Sequence, residues 1–259
     1  MTTADDHALA RDLAEEAGRL LLALRARGGD PDELRKAGDR QSHEFIAGRL
    51  AALRPDDALL SEEGVDDKAR LSADRVWIVD PLDGTREFGE EGRSDWAVHV
   101  ALWERAAEGG ADLTAGAVAL PAQGTVLNTS TPPSRTFPAD SPPTAPLRLV
   151  VSRSRASQLV KDVAAHLAAE LVPCGSAGAK VATVITGETD VYLHSGGFYE
   201  WDTAAPVAVA RAAGFHASRI DGAHLVYNRE NPLLPDILVC RPAIAGLFLD
   251  AIREVSHAD

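Results

Sequence analysis

Apolar positions in the first fifty residues recur at helical spacing. Leu9, Leu13, Ala17, Leu20 and Leu24 share one face of a helix expected over residues 7–27, ended by Gly28-Gly29 and Pro31. A second helix is expected from near Asp39 to about Leu53, with Phe45, Ile46, Leu50 and Leu53 inward and Asp39 at or near its N-cap. The period then changes. Ala58 to Leu60 reads as a short strand, and Val76 to Val79 as a buried one that stops in the turn Asp80-Pro81-Leu82-Asp83-Gly84-Thr85 before a short helix start in TREF. Strands over Asp95–Trp103, Asp112–Leu120 and Thr125–Asn128 predict an antiparallel sheet portion. Residues 129–146 carry much of the proline and read as an exposed excursion. They form a candidate seam between a lobe over 1–146 and a lobe over 147–259, although a hairpin insertion within one lobe fits the same pattern. Strand Leu147–Val151, a helix over 157–169, an extended piece at Leu171–Pro173, helix Ala179–Thr186 and strand Asp190–His194 then follow. A flexible turn at Gly196-Gly197, a helix over 203–213, strands Phe215–Ile220 and Ile237–Cys240 and a helix over 243–255 complete an α/β alternation.

Length and charge narrow the function. A chain of 259 residues can build one large domain or two lobes with real cores. A net charge of −13 argues against binding a nucleic-acid backbone. It leaves room for a small anionic substrate if a metal ion inverts the local field. The start, MTTADDHALA, has neither the basic nor the apolar region of an export signal, and no apolar run approaches the roughly 20 residues of a membrane span. Cys174 and Cys240 lack CxxC spacing, which fits a reduced, cytoplasmic setting better than a disulfide scaffold.

The chemistry lies in the carboxylates. A core strand that ends in Asp80 and Asp83 buries charge at a cost of several kcal/mol unless a positive partner sits between them. Pro81 restricts Asp80 to extended backbone, and Gly84 permits a sharp bend. Glu62, in the pair Glu62-Glu63 after a strand, and Asp202, at a helix start, bring the candidate oxygen ligands to four. With no cysteine or paired histidine beside them, they suit Mg2+ or Mn2+ rather than zinc. Acids sharing two ions about 3.5–4 Å apart form a phosphoryl-transfer device. The plainer readings are an N-cap for Asp202 and a capped turn for Asp80 and Asp83. A Ser176, His194, Asp202 triad lacks the GxSxG elbow, and a dinucleotide fold lacks GxGxxG after a strand. A binding module without catalysis leaves the four acids unexplained. Gly175-Ser176-Ala177-Gly178 opens a helix that can accept an anion, a weak signal alone.

Three motifs together resemble the inositol monophosphatase superfamily of magnesium-dependent, lithium-sensitive phosphatases. They are DPLDGT at 80–85, the glutamate pair in LLSEEG, and Trp201-Asp202-Thr203-Ala204-Ala205. The resemblance covers nearly the whole chain. It implies an α/β/α/β/α layered sandwich, with an antiparallel N-terminal sheet and a mixed C-terminal sheet. It further implies a first ion held by Glu62, Asp80 and the Leu82 carbonyl, and a second held by Asp80, Asp83 and Asp202. Glu62 and Thr85 would orient the attacking water, Asp39 would support that water near a weaker third site, and Gly84 and Thr85 N–H groups would hold phosphate. The family stretch ahead of Asp39 is shortened here to Arg35-Lys36-Ala37-Gly38, so the loop that closes the third site is expected to be altered.

Within the superfamily the likeness is to the CysQ branch of 3'(2'),5'-bisphosphate nucleotidases. It is carried by GSAGAKVATVITGETDVYLH, EWDTAAP and LVYNRENPLLPD. His194 stands where inositol-specific members usually place a glutamate. The branch implies removal of the 3'-phosphate of adenosine 3',5'-bisphosphate, and of its sulfated form, by metal-activated water. Two or three Mg2+ ions are implied, with Mn2+ as a substitute and Li+ as an inhibitor. By the same likeness Ser176, Lys180, His194, Asp202, Tyr227 with the loop to Asn231, and Arg153 are candidates for the substrate side. A homodimer is allowed. Inositol-1-phosphate or fructose-1,6-bisphosphate as substrate, and a non-catalytic nucleotide-binding protein, are the rival readings.

Overall fold

In the computed structural model the described residues are 4–106, 110–133, 146–154 and 156–256. Most of the proline-rich excursion, residues 134–145, therefore lies outside them. The chain stacks five layers. Helices α1 (Ala4–Arg25) and α2 (Pro31–Leu53) cover one face of a first sheet. That sheet runs in chain order: β1 (Ala58–Ser61), β2 (Arg75–Asp83), β3 (Ala97–Arg105), β4 (Ala111–Leu120) and β5 (Thr125–Asn128). Helices α5 (Ala177–Thr186) and α6 (Glu200–Ala212) form the middle layer. The second sheet has the order β7 (Glu170–Cys174), β6 (Arg148–Ser152), β8 (Val191–Tyr199), β10 (Leu233–Cys240), β9 (His216–Ser218). Helices α4 (Gln158–His166) and α7 (Pro242–Ser256) close its far face. The one-turn helix α3 (Thr85–Gly89) follows β2 directly.

Burial explains the order of layers. On α1 the stripe is Leu9, Leu13, Ala17, Leu21 and Leu24, so Leu21 rather than Leu20 completes it. It packs with Trp77, Val79, Val98 and Val100 from one face of the first sheet. The other face, with Val76, Ile78 and Val118, meets Val181 and Val184 of α5 and Val207 of α6, which also touch Val150, Tyr192 and Val239 of the second sheet. The middle layer is apolar on both sides, as a helix between two sheets must be. Strand β2 is buried from Val76 to Asp83 because sheet neighbours and helices enclose it.

Four expectations change. Helix α2 starts at Pro31, capped by the Asp30 carboxylate, which accepts the Asp32 and Glu33 N–H groups. Proline at the first helical position starts a helix as readily as proline beyond an end stops one, and the periodicity alone did not separate the two cases. Asp39 is thus two turns inside α2 rather than at its cap, and Arg35-Lys36-Ala37-Gly38 is helix rather than loop. Gly38 makes this packing possible: a Cβ there would lie 2.8 Å from both Leu82 Cδ2 and Phe88 Cε1. Strands β1 and β2 pair in parallel, so the first sheet is mixed instead of antiparallel throughout. Gly196-Gly197 lies within β8, at a register irregularity opposite Leu234 and Asp236, where strand glycines mark a bulge instead of a turn.

A buried arginine joins the two halves. The Arg70 guanidinium donates to both Asp66 oxygens at 2.7 and 3.1 Å, to Asn228 Oδ1 at 2.7 Å and to the Arg229 carbonyl at 2.9 Å. The Asn228 and Arg229 N–H groups donate in turn to the Glu200 carboxylate in the first turn of α6, at 2.6 and 2.9 Å. The charge is 1% exposed and fully partnered. Replacing Arg70 with methionine strands Asn228 and Asp66. Urea unfolding is expected to show a loss of about 3–5 kcal/mol. Lysine should recover little of it, because a single ammonium cannot span the fork.

Candidate active site

Strand β2 delivers its two acids by breaking register. Asp80 lies opposite His99 of β3, and pairing resumes only at Asp83 opposite Ala97. Pro81 and Leu82 bulge between them. The bulge is held from several sides. Ser42 of α2 donates to the Pro81 carbonyl at 2.7 Å, the Leu82 N–H donates to Asp80 Oδ1 at 3.0 Å, and the Thr85 hydroxyl lies 3.0 Å from the Leu82 carbonyl. Gly84, at φ +83°, turns the chain into α3. The Thr85 hydroxyl also lies 3.2 Å from Asp39 Oδ1, which places Asp39 behind the turn.

The third aspartate comes from the other half of the chain. Asp202 sits in the first turn of α6, where its carboxylate accepts the Tyr199 N–H at 2.7 Å and so caps the helix. Carboxylate oxygens of Asp80, Asp83 and Asp202 lie within 4.8 Å of one another. They sit in the wall of a cavity of about 380 Å3, with Glu62, Gly84, Thr85, Ser176, Lys180 and His194. Ser176 caps α5 through the Ala179 N–H at 2.9 Å. Lys180 is buried, its ammonium donates to the Gly175 carbonyl, and it stands 5.4 Å from the Tyr192 ring centre. The His194 ring stacks on Phe198 with centres 4.3 Å apart.

Crowding controls the electrostatics. Desolvation of the Glu62 carboxylate against the cluster, although the residue as a whole is exposed, and then the charge of Asp202 push it up to about 7 despite its hydrogen bond with Asp80. Burial with Glu62 and Asp83 beside it raises Asp80 well above the usual carboxylate range. Burial and Asp83 bring Asp202 to about 6, against the stabilising Tyr199 N–H. Asp39 also reaches about 6 through burial and the nearby Glu63. Asp83 goes the other way: burial opposes its charge, but His99, Lys180 and the Gly178 N–H together hold it below its ordinary value. The clustered carboxylates offer only oxygen and lack enough positive charge of their own. That donor chemistry fits hard divalent cations and disfavours zinc.

Three sequence candidates are placed away from the cavity wall: Asp39 behind the Thr85 turn, Arg153 and Tyr227. Arg153 bridges Glu90, at 2.9 Å from each nitrogen used, and Glu87 at 2.9 Å, so its charge is already spent on acids from the α3 turn. Tyr227 is buried in the middle layer, 3.2 Å from the Thr203 hydroxyl, and its neighbour Asn228 serves the Arg70 cluster. The cavity wall also contains Arg86, Tyr192, Phe198, Tyr199 and Trp201, which sequence reasoning missed. The Tyr199 and Trp201 rings stack at 4.6 Å. The available signal was their closeness in sequence to Gly196-Gly197 and to Asp202. His99, the lone polar residue in the apolar strand AVHVAL, was missed as well.

The profile of the inositol monophosphatase family matches residues 6–257. A Mycobacterium bovis protein named 3'-phosphoadenosine 5'-phosphate phosphatase is 52% identical over 242 residues, 92% of this chain and 90% of that protein. The Escherichia coli K12 3'(2'),5'-bisphosphate nucleotidase CysQ is 31% identical over 214 residues, 78% of this chain and 83% of that protein. The crystal structure of inositol monophosphatase II from Staphylococcus aureus superposes with a TM-score of 0.83 over 98% of both chains at 20% identity, a likeness of fold.

The raised carboxylates give a pH dependence with a definite sign. Their ordinary values lie near 4, so the cation-free folded protein holds protons that the unfolded chain has released. Stability of the cation-free protein should therefore fall as pH rises from about 5 to about 7.5. Added Mg2+ should raise the melting temperature more at about pH 8 than at about pH 5.5, because fewer protons compete. Equal Mg2+ shifts at both pH values in differential scanning calorimetry would contradict this account.

Proposed function

The chain belongs to the inositol monophosphatase family, and we propose that it is a Mg2+-dependent phosphatase that removes the 3'-phosphate of adenosine 3',5'-bisphosphate. The observation that carries the reading is the meeting of Asp80 and Asp83 from the first sheet with Asp202 from α6 in one cavity wall. The substrate is taken from the mycobacterial relative, similar over 92% of the chain. In this reading Glu62, Asp80, Asp83, Asp202 and the free lone pair of the Leu82 carbonyl hold two or three cations, with Mn2+ as a substitute and Li+ as a competitor. Bound there, the cations neutralise the acids and supply Lewis acidity toward the phosphoryl group.

The chain's own groups do the rest. Glu62, in the wall beside Asp80, accepts a proton from the attacking water. The Thr85 hydroxyl hydrogen is taken up by Asp39 and the Leu82 carbonyl, which leaves the oxygen's lone pairs to accept a hydrogen of this water and fix its position. Gly84 and Thr85 offer backbone N–H groups to the phosphate. Lys180, within charge range of Asp83 and Asp202, adds positive charge to the cavity, and Ser176 a hydroxyl. His194 on Phe198, and Tyr199 on Trp201, present flat rings on the side where a nucleoside would lie. Such rings give a base a surface to stack on, which supports the nucleotide over inositol-1-phosphate or fructose-1,6-bisphosphate. Both cysteines are free, in keeping with a reducing, cytoplasmic setting. Among the described residues no helix is long and apolar enough to cross a membrane.

Phosphate release tests the reading directly. Turnover of the nucleotide should require Mg2+, fall in millimolar Li+, and exceed that of the other two esters in kcat/KM. Asp83→Asn should lower kcat/KM by about 100-fold or more, the consequence of losing several kcal/mol of cation-borne stabilisation. Near-normal turnover in that variant, or nucleotide binding without any phosphate release, would defeat the assignment.

A further inference from the structure

We propose that His99 is a positioning residue that fixes which oxygen Asp83 turns toward the cavity and ties that acid to the helix carrying Asp202. The ring lies at the centre of the first sheet, with no exposed surface, so it cannot touch substrate. Its Nε2 is 3.2 Å from Asp83 Oδ2. Its Nδ1 is 3.2 Å from the Trp201 carbonyl, the residue immediately before Asp202. A carbonyl and a carboxylate both only accept, so the ring serves the two contacts together when it carries a hydrogen on each nitrogen. The same Asp83 Oδ2 receives the Gly178 N–H of α5 at 2.8 Å. Helix α5 approaches so closely that a Cβ on Gly178 would stand 2.2 Å from His99 Nε2. The ring, the carboxylate and the helix backbone thus close on one another. Two groups on the protein side converge on Oδ2, which leaves Oδ1 as the oxygen for the cavity. Because His99 reaches β2 with one edge and α6 with the other, it sets the separation of Asp83 and Asp202 across two elements distant in sequence. A carboxylate ligand held by an outer partner loses cation affinity when that partner is removed, commonly by about 10–100-fold.

The inference rests on the cation reading above, and the test separates the two. Mn2+ binding is titrated by electron paramagnetic resonance on substrate-free protein, wild type against His99→Leu and His99→Gln. Leucine keeps the volume and removes both nitrogens; glutamine keeps a donor at similar reach. His99→Leu should weaken Mn2+ binding by at least about tenfold, while His99→Gln recovers most of it. The Mg2+ concentration giving half-maximal phosphate release should rise in the same ratio, with KM for the ester at saturating Mg2+ nearly unchanged. If His99→Leu does not fold, His99→Asn, too short to span both contacts, takes its place in the comparison. Wild-type protein that fails to bind Mn2+ defeats the cation reading and this proposal with it. Wild-type binding matched by the leucine variant defeats the His99 proposal alone. Equal weakening in both variants, following their loss of melting temperature, makes the ring a space-filler and also overturns it.

Discussion

Repulsion among clustered carboxylates is the constraint to which the rest of this structure answers. Asp80 and Asp83 are buried, Asp202 is half-buried and Glu62 lies more exposed in the same wall, and three of the four are driven toward their protonated forms. Such a cluster opposes folding unless something compensates for it. The surrounding sheet and helices hold the acids together at that cost. The bulge at Pro81-Leu82, the Ser42 hydroxyl and the α6 cap each restrain an acid or its backbone in place. A site built this way is unsatisfied without positive charge, which suits it to hold cations.

The layered architecture makes the gathering possible. Each sheet buries one face against its own outer helices and the other against α5 and α6, so the middle layer fixes the distance between the halves. Asp202 and the Ser176 cap both lie at N-terminal ends of those middle helices, facing the end of β2. The Arg70 cluster then links the segment after β1 to the loop before β10, and through Glu200 to the first turn of α6. Glu200 and Asp202 are two residues apart. A buried clamp between the two halves and a candidate cation ligand therefore share a single helical turn.

Asp83 shows how uneven a shared site can be. Alone among the four acids it stays easily ionised, because His99, Lys180 and a backbone N–H offset its burial. It supplies a standing negative charge around which the others, with their higher proton affinity, adjust. Arg153 illustrates the reverse: a basic side chain that reads as a substrate contact is taken up by Glu87 and Glu90, and adds rigidity beside the cavity instead of charge within it.

Periodicity and local chemistry were enough to read nearly every helix and strand, the four acids and an α/β alternation, because those signals act over a few residues, whereas the layered fold was implied by the motif resemblance. Apolar spacing sets the buried face of α1 and the length of β4, and Asp-Pro-Leu-Asp-Gly-Thr encodes a bend wherever it occurs. The start of α2 escaped because Pro31 carries the same local signal at an end and at a beginning. The parallel pairing of β1 with β2 escaped because strand direction depends on the path of the intervening chain. Tyr227 and Arg153 looked available because a side chain's partners cannot be known before distant segments meet. His99 looked like one polar residue in a buried strand until β3, α5 and α6 were brought together. The chain alone thus determined what each element is and which groups could bind a cation. The tertiary structure decided which of them meet, which oxygen faces inward and which charges are already neutralised, since those depend on register and packing between segments a hundred residues apart.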